Sequence, residues 1–557
     1  METVRPWVRD YPPGVSEHVD LARYQSVNQM LDEACRKYES LPAFSNMGET
    51  LTYGELDRRA SAFAAFLHSL PGMTPGERFA IMMPNLLQYP IAIFGALRAG
   101  LVVVNVNPLY TERELEHQLK DSGARAILVL ENFASKVENV MPATALKYVV
   151  VTQVGDMFGP PRRMLTNFAV KHVKQMVPAW KLEGVFHFRH ALSMGRKMTC
   201  PAIQPGAGDI AFLQYTGGTT GVSKGVILTH ANIVANVLQC ASWIGGTLRE
   251  REEIVLTPLP LYHVFSLVAN CLTFMAIGGL NVLITNPKDL PAFVKTMRAF
   301  PWTVMTGVNT LYNALSNTAG FGPDCARSAK LSIGAGAAML RPVMERWTAL
   351  TNAPMIEGYG LSESTAGVCI NPPGQPRLGS VGIPLPSIEV RIRGDDGTLC
   401  APGEAGEIEV RGPQVMQGYW GRPADTAEVL SVDGWLKTGD IGTMDIGGWV
   451  AITDRKKDMI IVSGFNVYPA EIEAVVSTHP GVLEAAAIGI SDAHSGEAVK
   501  LFVVRKDPKL TAEDILAHCD SNLTRYKIPR QIEFRSELPK TPVGKILRRA
   551  LRDVAGQ

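Results

Sequence analysis

"LQYTGGTTGVSKG" (residues 213–225) sets small and hydroxylated residues around a single lysine, directly after an apolar run. The run Ile210–Tyr215 has the length and residue types of a buried strand, and Gly217, Gly218, Thr219, Thr220 and Gly221 forbid its continuation. A strand therefore empties into a donor-rich loop. Glycines let backbone N–H groups converge on a ligand, the hydroxyls of Thr216, Thr219, Thr220 and Ser223 add donors, and Lys224 adds a cation, an inventory suited to phosphate. The order is not that of a Walker-type loop, because Lys224 follows Ser223 and precedes Gly225 instead of standing between glycine and a hydroxyl residue. Taken alone, such a loop reads first as a Gly/Thr-rich surface turn. The rest of the chain has to decide.

With 557 residues the chain exceeds what one hydrophobic core usually serves, so at least two domains are expected. A net charge of +1 and a charged fraction of 19% argue against a general nucleic-acid binder and against a disordered chain. The eight cysteines are scattered, with no CxxC pair and no histidine cluster at zinc spacing, and read as reduced packing thiols. The opening Met-Glu-Thr-Val-Arg-Pro lacks the plan of a signal peptide, which points to a cytoplasmic protein. Residues 254–287 carry no Asp, Glu, Lys or Arg, yet Pro258, Pro260, His263, Asn270, Gly278-Gly279 and Asn281 punctuate them. A buried helix followed by a strand at 280–285 fits that stretch better than a membrane span.

Strand-like runs at 79–83, 101–106, 126–130 and 148–152 alternate with helical patterns at 53–70 and 112–121, which predicts parallel α/β layers. From about Gly379 the texture changes to short strands and Gly/Asp turns, the mark of an antiparallel β subdomain. After "DRKKD" (454–458) follows a compact α+β tail, with helices at 470–477 and 512–522, the second opened by Thr511 and Asp514 in capping-box spacing, and strands at 485–490 and 500–504. The expected fold is α/β: a large N-terminal domain of layered α/β subdomains plus a β subdomain (1–453), a hinge (454–457) and a small mobile C-terminal domain (458–557).

Four further motifs stand in order behind the opening loop: "GYGLSES" (358–364), "WLKTGD" (435–440), "DRKKDMIIVSGFNVYPAEIE" (454–473) and "PKTPVGKILRR" (539–549). Together the five resemble the adenylate-forming superfamily of acyl-CoA synthetases, peptide-synthetase adenylation domains and luciferases, over nearly the whole chain. The segment 433–475 looks most like bacterial long-chain fatty-acid–CoA ligases. Activating a carboxylate with ATP brings two anions together as pyrophosphate leaves, so a site must supply positive charge and orientation. The resemblance implies that 215–225 (Tyr215, Thr216, Gly217, Gly218, Thr219, Thr220, Gly221, Ser223, Lys224) cradles the β- and γ-phosphates. It implies that Glu363 holds Mg²⁺ and that Ser362, where threonine is commoner, keeps a phosphate contact after Gly360. Tyr359 would lie against adenine, bordered by Gly336, Ala337 and Ala338. Asp440 would accept the ribose hydroxyls, Arg455 would contact ribose or phosphate, and Lys545 would bridge carboxylate and nucleotide in the adenylation transition state. Rotation of the C-terminal domain about Lys457 would then bring Gly464 to line the pantetheine path for coenzyme A.

Peptide-synthetase relatives place an aspartate shortly after the motif matched by "PLYHVF" (260–265), to pair with an amino-acid ammonium. The acid-free stretch 254–287 would leave that ammonium buried and unpaired, so amino acids are disfavoured. Segments 264–277 and 306–315 are apolar enough to wall an alkyl tunnel, though they read equally as core; His263 is implied to gate the two half-reactions. Residues 161–198 carry eight Lys/Arg and one acid, interleaved with Phe168, Trp180, Phe186 and Phe188, a mixture suited to peripheral contact with an anionic membrane at its inner face and also to a solvated insertion. The implied activity is ATP-dependent ligation of a long-chain fatty acid to coenzyme A, with no nucleic-acid partner and with a homodimer left open. A medium-chain or aryl acid ligase and a non-catalytic acyl or nucleotide sensor are the alternatives.

Overall fold

A computed structural model describes residues 5–216, 223–463, 465–492, 495–541 and 544–555. Two large sheets dominate. The first has nine strands, and its central parallel members, Leu331–Ala335 and Met355–Tyr359 among them, stand beside Val304–Gly307 and Ile254–Thr257. The second has eight strands and includes Ile210–Tyr215, which pairs parallel to Val102–Val106 on one side and antiparallel to Gly225–Thr229 on the other. A four-stranded antiparallel sheet then runs from Glu389–Arg393 through Gly406–Arg411 and Leu436–Met444 to Val450–Arg455. The last sheet, five-stranded, belongs to the C-terminal part and carries the helices Pro469–Ser477 and Ala512–Asn522. This is the layered α/β plan with a β subdomain and a smaller α+β C-terminal domain that the residue pattern predicts.

Local signals explain the agreement. Ala126–Leu130 is a strand buried at every position, as an uninterrupted apolar run in a parallel sheet requires. The Tyr53–Ser69 helix begins where Thr52 and Glu55 close a capping box, and Ala512–Asn522 begins at the matching Thr511–Asp514 pair. Strands 485–490 and 500–504 are longer than expected, Val482–Asp492 and Gly496–Arg505, because their pairing runs on past the apolar centre. The uncharged stretch resolves into the strand Ile254–Thr257, a π-helical turn at Ser266–Leu272, the helix Thr273–Ala276 and the strand Leu280–Leu283. No helix among the described residues is long and apolar enough to cross a membrane.

Two expectations about packing need correction. Within 306–315, Tyr312 and Leu315 lie in a hydrophobic cluster with Trp347, and the Tyr312 hydroxyl donates to the carbonyls of Met305 and Ile333, so these two side chains are core rather than tunnel wall. Of the aromatic residues in 161–198, Phe186 and Phe188 pack against Phe66 and Phe63 at ring distances of 5.1 Å, and Trp180 packs on a third cluster. Only Phe168 remains outward, with Met164, Leu165, Val173 and Met176 beside it. Composition announces an amphipathic segment without fixing which aromatic rings face in.

Candidate functional site

The site lies where parallel strands of the nine-stranded sheet end, the usual place for a ligand in an open α/β sheet. Leu331–Ala335 delivers the turn of Gly336, Ala337 and Ala338; Met355–Tyr359 delivers Tyr359, Gly360, Ser362 and Glu363. Gly360 cannot be replaced without rebuilding the turn, since an added Cβ would sit 1.4 Å from the Ala366 carbonyl oxygen. Thr365 takes a φ of 66°, unfavourable for a β-branched residue, and its hydroxyl is anchored on the Gln414 carbonyl at 2.6 Å. Such strain costs about 1–3 kcal/mol and persists where the surroundings hold it. Here it aims the short turn that carries Glu363.

One oxygen of Glu363 accepts the Tyr419 hydroxyl at 2.9 Å, and Lys224 lies over the Tyr419 ring at 5.0 Å while pairing with Asp425 at 3.1 Å. Lysine, phenol and carboxylate thus form one chain of contacts. Nothing near Tyr419 in the sequence signals this. It arises because Gly418–Tyr419 pairs antiparallel with Val226 and Ile227, just beyond the glycine-rich loop.

Residues Gly217, Gly218, Thr219, Thr220 and Gly221 lie outside the described residues, as does Gly464. The ends of the loop are described. The backbone N–H of Thr216 donates to the Lys224 carbonyl at 3.2 Å, and the Ser223 hydroxyl donates back to the Thr216 carbonyl. Tyr215 does not turn toward the loop: its side chain is buried and its hydroxyl donates to Asp121 at 2.7 Å. Among the described residues the Ser362 hydroxyl makes no hydrogen bond.

On the far side of the cleft, the Tyr359 hydroxyl donates to Oδ2 of Asp440 at 2.7 Å, and Nε of Arg455 meets Oδ1 at 2.9 Å. Asp440 and Arg455 face each other in the register of strands Leu436–Met444 and Val450–Arg455. Asp440 holds the Arg455 guanidinium above its ordinary pKa despite burial, while burial and the Asp440 charge push the Tyr359 phenol well above the usual range. Tyr359 is therefore a neutral donor.

Glu357, two residues before Tyr359 and so on the same strand face, escaped the sequence reading. Its buried carboxyl accepts the Met339 N–H at 3.1 Å and is pushed up to about 7 by burial. It fixes the backbone beside Gly336–Ala338.

Lys545 reaches this cleft from the C-terminal domain. Thr310 donates to the Gly544 carbonyl at 2.9 Å, and a Cβ added to Gly336 would stand 3.2 Å from Cε of Lys545. Burial lowers the Lys545 ammonium to about 8, with the Arg455 charge adding to the effect and Asp440 and Glu363 opposing it. His263 is close enough to feel Lys545; burial first and that charge second hold its imidazole down at about 3, so it is neutral at physiological pH. Its Nδ1 accepts the Phe265 N–H at 3.3 Å.

The structure thus gathers Glu363, Lys224, Tyr359, Asp440, Arg455, Lys545 and His263 about one cleft. Lys457 lies in the turn after Val450–Arg455 and is lowered in pKa, mainly by burial. A second unforeseen cluster ties the C-terminal domain together: Arg548 meets Glu473 at 2.8 Å and Asp458 at 3.6 Å.

A buried ammonium near 8 gives a pH signature. Burial disfavours the charged form, so Lys545 is cationic below about pH 8 and neutral above it. The kcat/KM of any step that needs its charge, which reports the free enzyme, is expected to be flat below that value and to fall about ten-fold per unit above it. The limb in kcat should lie higher, because bound anions favour the ammonium. A kcat/KM profile flat to pH 10 would remove Lys545 from that step.

The AMP-binding enzyme family model matches residues 31–420, and the AMP-binding enzyme C-terminal domain model matches 471–545. The chain is 52% identical over 550 residues to a long-chain-fatty-acid–CoA ligase of Salmonella typhimurium, covering 99% of this chain and 98% of that one. It is 37% identical over 556 residues to the long-chain-fatty-acid–CoA ligase of Bacillus subtilis, at 99% and 98% coverage. Among solved structures, an anthranilate CoA ligase in complex with anthranoyl-AMP superposes with a TM-score of 0.85 at 25% identity, covering 97% of this chain and 99% of that one.

Proposed function

This chain belongs to the AMP-binding enzyme family, and from that premise we propose that it is a long-chain fatty-acid–CoA ligase working through an acyl-adenylate. ATP and a fatty acid give the acyl-adenylate and pyrophosphate; coenzyme A then gives the thioester and AMP. The observation that carries the site assignment is the convergence of Lys545 with the Tyr359–Asp440–Arg455 and Lys224–Tyr419–Glu363 groups in one cleft.

Asp440 receives the ribose hydroxyls on the lone pairs that Tyr359 and Arg455 leave open, and the loop 215–225 with Lys224 and Ser362 receives the phosphates. The Tyr359 ring and the Gly336–Ala338 backbone flank the base. Tyr215 serves the loop from beneath, through Asp121, rather than by touching phosphate with its side chain.

Glu363 fits magnesium. Among the described residues its carboxylate accepts one hydrogen bond, on a single oxygen, and magnesium is commonly held by one or two carboxylates with phosphate and water completing its shell. The cation, when bound, would neutralise charge on the phosphates as pyrophosphate departs. Lys545 places its ammonium between the incoming carboxylate and the nucleotide, and neutral His263 orients that carboxylate by hydrogen bonding without trading protons.

Thioester formation needs the acyl carbonyl uncovered. Residues 454–457 form the hinge of this reading, and Gly464 lines the thiol's path once Lys545 withdraws. Beside Lys545, Thr310 donates to the Gly544 carbonyl and Asn313 of the same helix donates to the Leu483 carbonyl at 3.3 Å, hydrogen bonds worth about 0.5–1.5 kcal/mol each.

The acyl chain is assigned to the uncharged segment of Val264 and the π-helical turn Ser266–Leu272; these side chains are packed in the main hydrophobic cluster, so an entering chain has to part them. Each additional buried CH₂ contributes ~0.8 kcal/mol, about four-fold in kcat/KM. In a pyrophosphate-release assay over C6 to C18 acids, kcat/KM is expected to climb toward the long-chain end, with benzoate at least 100-fold below. An optimum at C8, or at an aryl acid, would replace this substrate with the medium-chain or aryl reading. Peripheral contact with an anionic bilayer belongs to the same proposal, carried by exposed Met164, Leu165, Phe168, Val173 and Met176 beside basic residues.

A further inference from the structure

Away from the cleft, a cavity of about 570 Å³ opens between the helices Tyr53–Ser69, Pro160–Phe168 and Phe188–Gly195. Its wall carries five arginines, Arg58, Arg59, Arg163, Arg189 and Arg196, against three carboxylates. Each of those carboxylates also has partners outside the arginine set. Glu49 pairs with Arg162 at 3.2 Å, Glu55 accepts the Thr52 N–H at 3.1 Å, and Asp156 accepts from Thr152 and Gln153 at 2.9 and 2.8 Å.

The arginines are short of partners. Among the described residues Arg58, Arg163, Arg189 and Arg196 make no ion pair within 4.0 Å, and Arg59 reaches only Glu55, at 3.9 Å. Nη1 of Arg59 is buried without any hydrogen bond, and Arg189 has one, to the Asp156 carbonyl at 2.9 Å. Arg59 and Arg189 are both drawn below the ordinary guanidinium value, by burial first and by neighbouring arginines as well, with the charges of Glu55 and Asp156 opposing. Arg58, Arg189 and Arg196 are exposed and Arg59 and Arg163 half-buried, so solvent screens much of the repulsion. The unmet buried donor of Arg59 is the group whose cost a ligand would relieve. The planar fork of each guanidinium matches phosphate oxygens in bidentate fashion.

We propose that this arginine-lined cavity is a binding site for a phosphate-bearing ligand, separate from the nucleotide cleft. The helix Pro160–Phe168 presents its N-terminal end to the cavity and its apolar residues Met164, Leu165 and Phe168 to solvent, so a phosphate here can be a lipid headgroup or a soluble phosphomonoester.

The full chain serves for the test. Arg58→Gln/Arg196→Gln removes two side chains that have no protein partner among the described residues, so folding is not at stake, and melting temperature checks it. The comparison variant Lys174→Gln/Lys181→Gln removes the same charge outside the cavity. Binding is measured to phosphatidylcholine vesicles containing one-fifth phosphatidic acid, and to glycerol 3-phosphate by calorimetry. The arginine variant is expected to bind at least ten-fold more weakly; the lysine variant, which also thins the basic segment, is expected to stay within three-fold of the parent on glycerol 3-phosphate and to lose less than the arginine variant on vesicles, and pyrophosphate release to stay within two-fold in both.

Loss on both probes supports the site and identifies a soluble phosphate as sufficient; loss on vesicles alone supports it with the lipid headgroup as source. Equal losses in the two variants, or no loss in the arginine variant, overturn it. Leu165→Ser/Phe168→Ser examines the membrane contact separately, and if that contact fails, glycerol 3-phosphate still decides the arginine site.

Discussion

Lys545→Ala is expected to lower formation of acyl-adenylate from acid and ATP by about three orders of magnitude while leaving conversion of supplied acyl-adenylate and coenzyme A to thioester within about three-fold of the parent. The first effect follows from removing the one ammonium that the C-terminal domain delivers beside Gly336, in a cleft where charge is weakly screened. The second follows if the domain has turned away before the thiol attacks, so that residue 545 no longer borders the carbonyl. Gly464→Leu should do the reverse, making adenylate and failing at the thioester. Single-turnover measurements with radiolabelled acid separate the steps. Equal loss of both steps in both variants, with circular dichroism unchanged, would refute domain alternation in this chain.

Glu363→Gln is expected to cost adenylation about 10³-fold with the fold intact, because the amide keeps the shape of the side chain and gives up its charge. Tyr419→Phe isolates the positioning contribution. It removes the 2.9 Å hydrogen bond to Glu363 but not the carboxylate, so a loss of about ten-fold is expected, largely recovered at high magnesium. Rate against magnesium concentration distinguishes the two: a lowered plateau for the first, a right-shifted curve for the second. A Glu363→Gln enzyme indistinguishable from its parent at limiting magnesium would sink the assignment.

The expected fold was legible because its signals are local. The strand at Ile210–Tyr215 and the helix at Ala512–Asn522 appear with the bounds that apolar runs, glycine breaks and capping residues define. The site was legible only through order along the chain: no single motif distinguishes Glu363 or Asp440 from a solvated acid, and it took five motifs in sequence to do so. What stayed hidden depends on contacts between distant segments. Tyr419 enters through the pairing of a two-residue strand, Glu357 through the face it shares with Tyr359, and Arg548 through an ion pair with Glu473 across the C-terminal domain. The inward turn of Trp180, Phe186 and Phe188 was missed for a different reason: Trp180 stands outside any helix or strand, and the elements of Phe186 and Phe188 are too brief for hydrophobic periodicity to assign a face.

If Asp440 holds the ribose as proposed, its two contacts bear on how a nucleotide is met. With a phenol on one oxygen and a guanidinium on the other, the carboxylate cannot rotate about its side-chain bonds without breaking a charge-assisted hydrogen bond. Its rotameric entropy is thus lost when the chain folds, not when a sugar arrives, and the lone pairs that remain already point in fixed directions. Association is spared that ordering cost, and the same rigidity that stiffens the junction of two sheets serves as preorganisation for the ligand.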